Sequence, residues 1–396
     1  MLLGLVGKPS VGKSTFFKAC TLANVAIANY PFTTIKPNHG IGYVRIDCID
    51  KEFNVQCMPR TGYCIQHQRF VPVELMDVAG LVEGASEGKG LGNQFLDDLR
   101  QADCFIQIVD ASGETDAQGK VISGGYNPVQ DVKMLENELD LWYSGILKKV
   151  WKTFARTAEM QKENFAGAVA KQFSGLKVSE DNIKKVILKL KFNTEKPTSW
   201  TDAQVLEFSH ELRHLTKPMI VAANKIDRQA SKENLKKLKE TYPDLMIIPC
   251  SADSELALRE ASKAGLIDYI PGDSDFKIKE EKVNQKQKQA LEIIKKNVLQ
   301  VYGDTGVQKI LNSAVFQLLR HIAVFPVENS HHVCDSKGNI LPDCYFVPQN
   351  TTALQLAFHV HTSIGEKFVK AIDARTKQVV GKEHKLKHRD VIEIVT

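Results

Sequence analysis

Leu2-Leu3-Gly4-Leu5-Val6-Gly7-Lys8-Pro9-Ser10-Val11-Gly12-Lys13-Ser14-Thr15 stands at the head of the chain, and its reading decides the fold. Leu2–Val6 is an apolar run of strand length that stops at a glycine. Gly7 to Ser14 fit the pattern G-x-x-x-x-G-K-S, and residues 15–22 carry a helical pattern. Strand, glycine-rich loop and helix N-terminus in that order make a cradle for phosphate. The glycines let the backbone curl until consecutive N–H groups face one anion, and the helix end adds its partial positive charge. In this reading Gly7, Lys8, Pro9, Ser10, Val11, Gly12, Lys13, Ser14 and Thr15 surround the phosphates of a nucleotide. Lys13 neutralises the β- and γ-phosphates, and the Ser14 hydroxyl ligates Mg2+.

Outward from this loop, further β-branched runs at 71–76, 104–109, 219–223 and 245–248 read as buried strands of a parallel sheet. Four of the five strands end in residues able to do chemistry: Gly7, Asp77, Asn224 and Cys250-Ser251. Ligands of an open α/β sheet sit at the carboxyl ends of its strands. Asn224-Lys225-Ile226-Asp227 names the base. A carboxylate at Asp227 accepts both N1–H and the N2 amine of guanine, whereas adenine would leave it buried and unpaired. Such a site discriminates by about 10⁴-fold or more. Lys225 would lie along the base, Asn224 would brace neighbouring loops, and Ser251-Ala252 would close over guanine O6 through a backbone N–H. Between these, Asp77-Val78-Ala79-Gly80 fits D-x-x-G, with Asp77 near Mg2+ and the Gly80 N–H facing the γ-phosphate. Of Thr33 and Thr34, Thr34 is taken as the hydroxyl that ligates Mg2+ only while the triphosphate is present. The expected metal set is thus Ser14, Thr34 and Asp77, and the expected catalytic set Lys13, Thr34 and Gly80.

A length of 396 residues implies two or three domains, and 43% hydrophobic with 25% charged residues is ordinary for a globular chain. The net charge of +5 permits an anionic partner without demanding one. About 110 residues separate the 104–109 and 219–223 strands, far more than one crossover helix needs. Val132, Leu135, Leu139, Trp142, Ile146, Val150 and Phe154 recur at steps of three and four, one apolar stripe. Further helical patterns cover 155–173, 180–191 and 202–215, with breaks at Ser174-Gly175 and Lys196-Pro197. Two more helices are predicted over 283–301 and 306–320. From Phe325-Pro326 onward, short alternating segments and turns predict a small β-rich domain with one helix near residues 353–359.

The eight cysteines stand singly with no C-x-x-C pair, which fits reduced thiols of a cytoplasmic protein. Cys57, Cys64 and His67 flank the Pro59-Arg60-Thr61-Gly62 turn and read as a hairpin with incidental thiols rather than as zinc ligands. The six apolar residues at the start are too few for a signal sequence, and no apolar run reaches about 18 residues. The expectation is a protein neither secreted nor membrane-spanning.

With these motifs in place, the chain resembles the Obg-like/YchF GTPases, in particular an archaeal or fungal-type branch. The resemblance rests on the phosphate loop, on residues 30–38 (switch I), on residues 77–85 (switch II) and on Gly88-Lys89-Gly90-Leu91-Gly92-Asn93-Gln94-Phe95-Leu96. Residues 356–365, 371–375 and 390–395 resemble the TGS domain that closes this family's chains. The resemblance implies an α/β fold: a Ras-like P-loop NTPase domain (1–130 and 217–282) with a helical insertion (131–216). It also implies a helical connector packed on the nucleotide domain (283–320) and a C-terminal β-grasp (TGS) domain (321–396). It implies slow hydrolysis of GTP to GDP and association with the ribosome or RNA. A monomer is expected.

Three departures qualify the resemblance. Bacterial YchF proteins carry an N-x-x-E type base motif and favour ATP, whereas Asp227 restores the guanine contact. Leu81 stands where Ras-like enzymes place the water-orienting Gln, and Asp98 where relatives place a compensating His, so neither role carries over. Asp98 reads either as a water-orienting base or as a solvated or helix-capping carboxylate. Ser10 replaces the Asn of potassium-activated relatives. Gly84, Gly88, Gly90 and Gly92 give switch II backbone freedom that a triphosphate or partner would have to quench. Residues 366–389 hold eight basic against three acidic residues, either a solvated surface or a phosphate-binding face. A GTPase switch, a nucleotide-gated binding module with incidental hydrolysis and an ATP-preferring enzyme all stay open as outputs, with GTP favoured.

Overall fold

The computed structural model describes residues 1–22, 38–78, 100–161 and 164–396. They form two compact units, Met1–Phe17 with Leu75–Ser254, and Lys18–Glu74 with Glu255–Thr396. The strands used below are, in chain order, β1 (Leu2–Val6), β2 (His39–Asp47), β3 (Tyr63–Ile65), β4 (Gln68–Asp77), β5 (Cys104–Asp110), β6 (Met219–Asn224) and β7 (Met246–Pro249). They continue with β8 (His321–Val327), β9 (Tyr345–Pro348), β10 (Lys370–Asp373), β11 (Val379–Val380) and β12 (Asp390–Val395). The helices used below are α1 (Lys13–Thr21), α2 (Val129–Gln161), α3 (Phe165–Gln172), α4 (Glu180–Leu190), α5 (Asp202–Thr216), α6 (Ser231–Thr241), α7 (Ala252–Lys263), α8 (Gln285–Ile294), α9 (Val307–Ser313) and α10 (Ala353–Val360).

In the first unit β1, β5, β6 and β7 run parallel in that order, with Leu3 opposite Cys104, Phe105 opposite Met219 and Ile220 opposite Met246. Every residue of β1, β5 and β6 is buried. That is why these segments read as continuous apolar runs rather than as alternating ones. The Val78 N–H donates to the Leu5 carbonyl at 3.1 Å, which sets the end of β4 beside β1.

The stretch between β5 and β6 folds as α2 to α5. Helix α2 has 33 residues, and Val132, Leu135, Leu139 and Trp142 of the predicted stripe are buried on it, with Tyr143, Leu147 and Trp151 beside them. The breaks fall where the sequence lacks helix formers: a 3-10 turn at Ser174–Leu176 followed by left-handed Lys177, and a second at Pro197–Ser199. Ser179 and Thr201 cap α4 and α5 through reciprocal bonds with Asn182 and Gln204. Trp200 lies at the centre of the aromatic packing, its ring 5.2 Å from Trp151, 5.3 Å from Phe165 and 5.5 Å from Phe208.

In the second unit β3 and β4 pair antiparallel, and α9 lies along β2, where Asn312 Oδ1 accepts the Arg45 N–H at 3.0 Å. The predicted helices near 283–301 and 306–320 are α8 and α9, each prolonged by a wide turn, Lys295–Leu299 and Ala314–Leu318. The last 76 residues hold a five-stranded sheet in the order β9-β8-β12-β10-β11, with β8 and β12 parallel and the other pairs antiparallel. Leu356 and Ala357 of α10 are buried, and Leu356 packs in one core with Val324, Val347, Ala371 and Ile392.

Candidate functional site

The loop between β1 and α1 takes the conformation its residues dictate. Gly12 has φ +93°, and a Cβ there would run into the Asn224 amide, so only glycine fits. Ser10 is left-handed at φ 64°. Asn224, at the end of β6, is the tie that makes glycine necessary. Its Nδ2 donates to the Val11 carbonyl at 2.8 Å, and its Oδ1 accepts the Ala252 N–H at 3.0 Å. One side chain thus joins the phosphate loop to the loop after β7, the bracing expected of it. The Ala252 N–H is spent on that brace.

Lys13 and Lys8, five residues apart, are used in opposite ways. Lys13 Nζ pairs with Asp77 Oδ1 at the end of β4, and the Ser14 hydroxyl lies 3.5 Å from Asp77 Oδ2. Ser14 and Asp77 are hard oxygen donors set side by side, which suits Mg2+ with its retained waters rather than a soft metal. The Lys8 side chain instead turns into the protein. It meets Asp131 Oδ2 at 2.9 Å, donates to the Thr115 carbonyl at 3.1 Å and sits 3.7 Å above the Tyr126 ring. What Lys8 can offer a phosphate is its main chain. Asp131 also accepts the Tyr126 hydroxyl at 2.8 Å, and burial pushes its carboxyl up against the pull of Lys8 and Tyr126. Pro9 has no N–H to give. Its carbonyl abuts Gly119, where a Cβ would sit 2.6 Å away.

The base loop is equally well tied. Lys225 is left-handed at φ 63°, and its Nζ is anchored 2.8 Å from Asp110 Oδ2, leaving its stem to lie along a base. Asp227 Oδ1 accepts the Ser251 hydroxyl at 2.9 Å, and Ser251 Oγ is also 2.8 Å from Ser254 Oγ. Arg228 Nε lies 3.5 Å from Asp227 Oδ2, and the Asp227 side chain keeps 31% of its surface exposed.

Asp110, at the end of β5, joins the site although no nucleotide-binding motif in the sequence marks it. It is fully buried and also accepts from Ser112 Oγ at 2.5 Å and Thr115 Oγ1 at 2.8 Å. Burial pushes its carboxyl up, but the bonds from Lys225, Ser112 and Thr115 outweigh that and hold it below the usual range. The spacing of Asp110, Ser112 and Thr115 at a strand end is the available signal, an Asx-type turn. Thr34 and Gly80, with Thr33, Leu81 and Asp98, lie outside the described residues. Gly7, Val11, Gly12, Lys13, Ser14, Asp77, Asn224, Lys225, Asp227, Ser251 and Ala252 come together at the carboxyl ends of the first unit's strands.

Comparison with known proteins bears on the same segments. Residues 2–137 match the family described as 50S ribosome-binding GTPase. Residues 222–329 match the G4 motif-containing domain of Obg-like GTPase YGR210-like, and residues 333–396 match the TGS domain. The chain is 49% identical over 395 residues to an uncharacterized GTP-binding protein of Methanocaldococcus jannaschii, covering 100% of this chain and 99% of that one. It is 31% identical to the ribosome-binding ATPase YchF of Bacillus subtilis over 66% of this chain and 68% of that one. The crystal structure of a GTP-binding protein from Pyrococcus horikoshii superposes with a TM-score of 0.80 at 38% identity, over the full length of both chains. With the phosphate loop, the base loop and the C-terminal sheet each matched by its own family description, the chain belongs to the Obg-like/YchF family of P-loop GTP-binding proteins with a C-terminal TGS domain.

Proposed function

We propose that this protein binds Mg-GTP in preference to ATP, hydrolyses it slowly to GDP and phosphate, and acts as a cytoplasmic regulatory switch on the ribosome or its RNA. The observation that carries the preference for guanine is Asp227. Its carboxylate is oriented by the Ser251 hydroxyl at Oδ1 and by the exposed Arg228 guanidinium 3.5 Å from Oδ2, and it keeps 31% of its surface open to accept N1–H and N2–H. Phosphate is held by the main chain of residues 7–15 and by Lys13. Ser14 and Asp77, joined by Thr34, hold Mg2+, which when bound neutralises charge on the β- and γ-phosphates. With nucleotide bound, Lys13 would pair with phosphate, and Asp77 would be released to help hold the cation. Hydrolysis is then positioning plus electrostatics, with Gly80 facing the γ-phosphate and a basal rate of about 10⁻⁴ to 10⁻² s⁻¹.

The ribosomal half of the reading draws on the family description of residues 2–137 and on the TGS domain. Of the eight basic residues in 366–389, Arg375 and Arg389 pair with Glu52, and Lys377 donates to the Ser330 carbonyl. The basic face therefore narrows to Lys367, Lys370, Lys382, Lys385 and Lys387. Among the described residues no helix is long and apolar enough to cross a membrane. The domain limits proposed are 1–130 with 217–282, 131–216, 283–320 and 321–396, in a monomer.

The test is titration of the Mg2+-loaded protein with labelled GTP and ATP beside an Asp227→Asn variant. Tight GTP binding, weak ATP binding and a preference lost in the variant support the reading. ATP binding as tight as GTP, unchanged by the variant, overturns it in favour of an ATPase like the Bacillus relative.

A further inference from the structure

A second cluster of chemistry lies in the other unit, in the segment 48–67. Cys48, Asp50, Cys57 and Cys64 bring one ligand atom each to within 4.8 Å of one another. Asp50 is fully buried, and Cys48 and Cys57 keep 3% and 4% of their surface. The sulfurs of Cys48 and Cys57 are 3.6 Å apart, and the Cys64 sulfur is 3.9 Å from Asp50 Oδ2. In a tetrahedral site with metal–sulfur bonds of about 2.3 Å, two thiolates stand about 3.8 Å apart. The spacing between Cys48 and Cys57 is therefore that of two ligands on one ion. No disulfide joins any of the eight cysteines. A disulfide would use only two of these groups. A tetrahedral cation uses all four.

Asp50 divides its two oxygens in the way a ligating carboxylate does. Oδ2 faces the sulfurs and accepts the Cys57 N–H at 3.3 Å, while Oδ1 is held by His67 Nδ1 at 2.9 Å. Residues that hold the far side of a ligand fix its orientation and its basicity. The backbone closes around the group, with the Cys48 N–H donating to the His67 carbonyl at 2.8 Å. Residues 52–62 between the ligands contain no strand or helix, yet they carry the Met58 and Arg60 N–H bonds to the carbonyls of Ile340 and Pro342, both at 2.8 Å.

We propose that Cys48, Asp50, Cys57 and Cys64 form a structural site for a divalent cation of the zinc class, with His67 positioning the carboxylate. Thiolate donors select a soft ion, and four protein ligands close the site to water. Its role is to fix the segment 48–67 and the contacts that segment makes with residues 340–342. Cys57, Cys64 and His67 alone read as a hairpin with incidental thiols. Cys48 and Asp50, contributed from just beyond β2, complete the set.

The test uses the full-length protein purified without chelator. Elemental analysis is expected to find one zinc per chain. Replacement by cobalt is expected to give intense tetrahedral d–d bands with a thiolate-to-cobalt charge-transfer band. Cys57→Ser should abolish these, Cys334→Ser should leave them, and His67→Gln should weaken zinc binding by about 10- to 100-fold. If Cys57→Ser does not fold, chelator competition on the unaltered protein decides, with one tight zinc equivalent expected. A metal-free protein that gives no tetrahedral cobalt spectrum overturns the proposal. So does a Cys48–Cys57 disulfide found by non-reducing mass spectrometry.

Discussion

The helices α2 to α5 and the loops at the carboxyl ends of β1, β5, β6 and β7 belong to one compact unit but are held together by different forces. The helices are joined by apolar burial, with Trp151, Phe165, Trp200 and Phe208 packed ring against ring. The loops are joined by single polar ties: Asn224 to Val11 and Ala252, Lys225 to Asp110, Lys8 to Asp131. Apolar burial is spread over many contacts and tolerates small shifts, whereas one hydrogen-bonded side chain fixes a loop to a few tenths of an ångström. The difference teaches where stability and where geometry reside. Removing a helix contact should unfold the unit without altering its site, and removing a loop tie should alter the site before it unfolds the unit.

The largest effect expected is that of Trp200→Ala, which empties the centre of the aromatic packing and should lower stability by about 3–5 kcal/mol. Urea unfolding measures this, and nucleotide affinity of the fraction still folded should be unchanged. A parallel loss of affinity would break the division just drawn. Asp110→Ala comes next. It strands Lys225, whose side chain is 22% exposed, and should lower stability by about 2–3 kcal/mol. Unlike the first variant it should also weaken GTP binding, read by equilibrium titration. A stability loss with binding intact would place Asp110 with the scaffold alone.

The smallest effect concerns a charged seam between α2 and α5. His210 and Arg213 of α5 bond to Asp140 of α2, and His214 lies 2.9 Å from Arg213 Nη2. Burial, then the Arg213 charge, pushes the His214 imidazole down to about 4. The unfolded chain therefore binds this proton first as pH falls, so stability is full above about pH 6.5 and is lost between there and about 4. The ring is 37% exposed, and screening limits the effect to about 1 kcal/mol or less. His214→Gln should flatten the stability–pH curve in that window by this amount and leave it unchanged near neutrality.

The same contrast explains what the sequence made legible. A stripe such as Val132, Leu135, Leu139 and Trp142 repeats, and repetition is visible without coordinates. Fully buried parallel strands announce themselves as apolar runs for the same reason. Motifs of fixed spacing placed Gly12, Lys13, Asn224 and Asp227 because one short segment has to do the whole of their work. A tie between residues far apart leaves no such trace. Asp110 and Lys225 are 115 positions apart, and Lys8 and Asp131 are 123 apart, so only the folded chain shows that Lys8 serves the scaffold while Lys13 stays at the site. Of the cluster Cys48, Asp50, Cys57 and Cys64, only Cys57 and Cys64 lie close to the turn at residues 59–62, and only the fold brings Cys48 and Asp50 to them.

The pair Lys8–Asp131 has a mechanical consequence. Asp131 is the third residue of α2, and it is clamped to the phosphate loop by its carboxylate and to Gln107 of β5 by its carbonyl. Sliding the helix at this point would uncover two opposite charges, which the clamp resists. Helix α2, with α3 to α5 packed along it, is therefore a lever held at this root and about 50 Å long at 1.5 Å per residue over its 33 residues. A tilt of about 5° at the root carries the far end through about 4 Å over that length. Displacements too small to notice beside the phosphates become, at Met160, a distance that a surface probe can resolve.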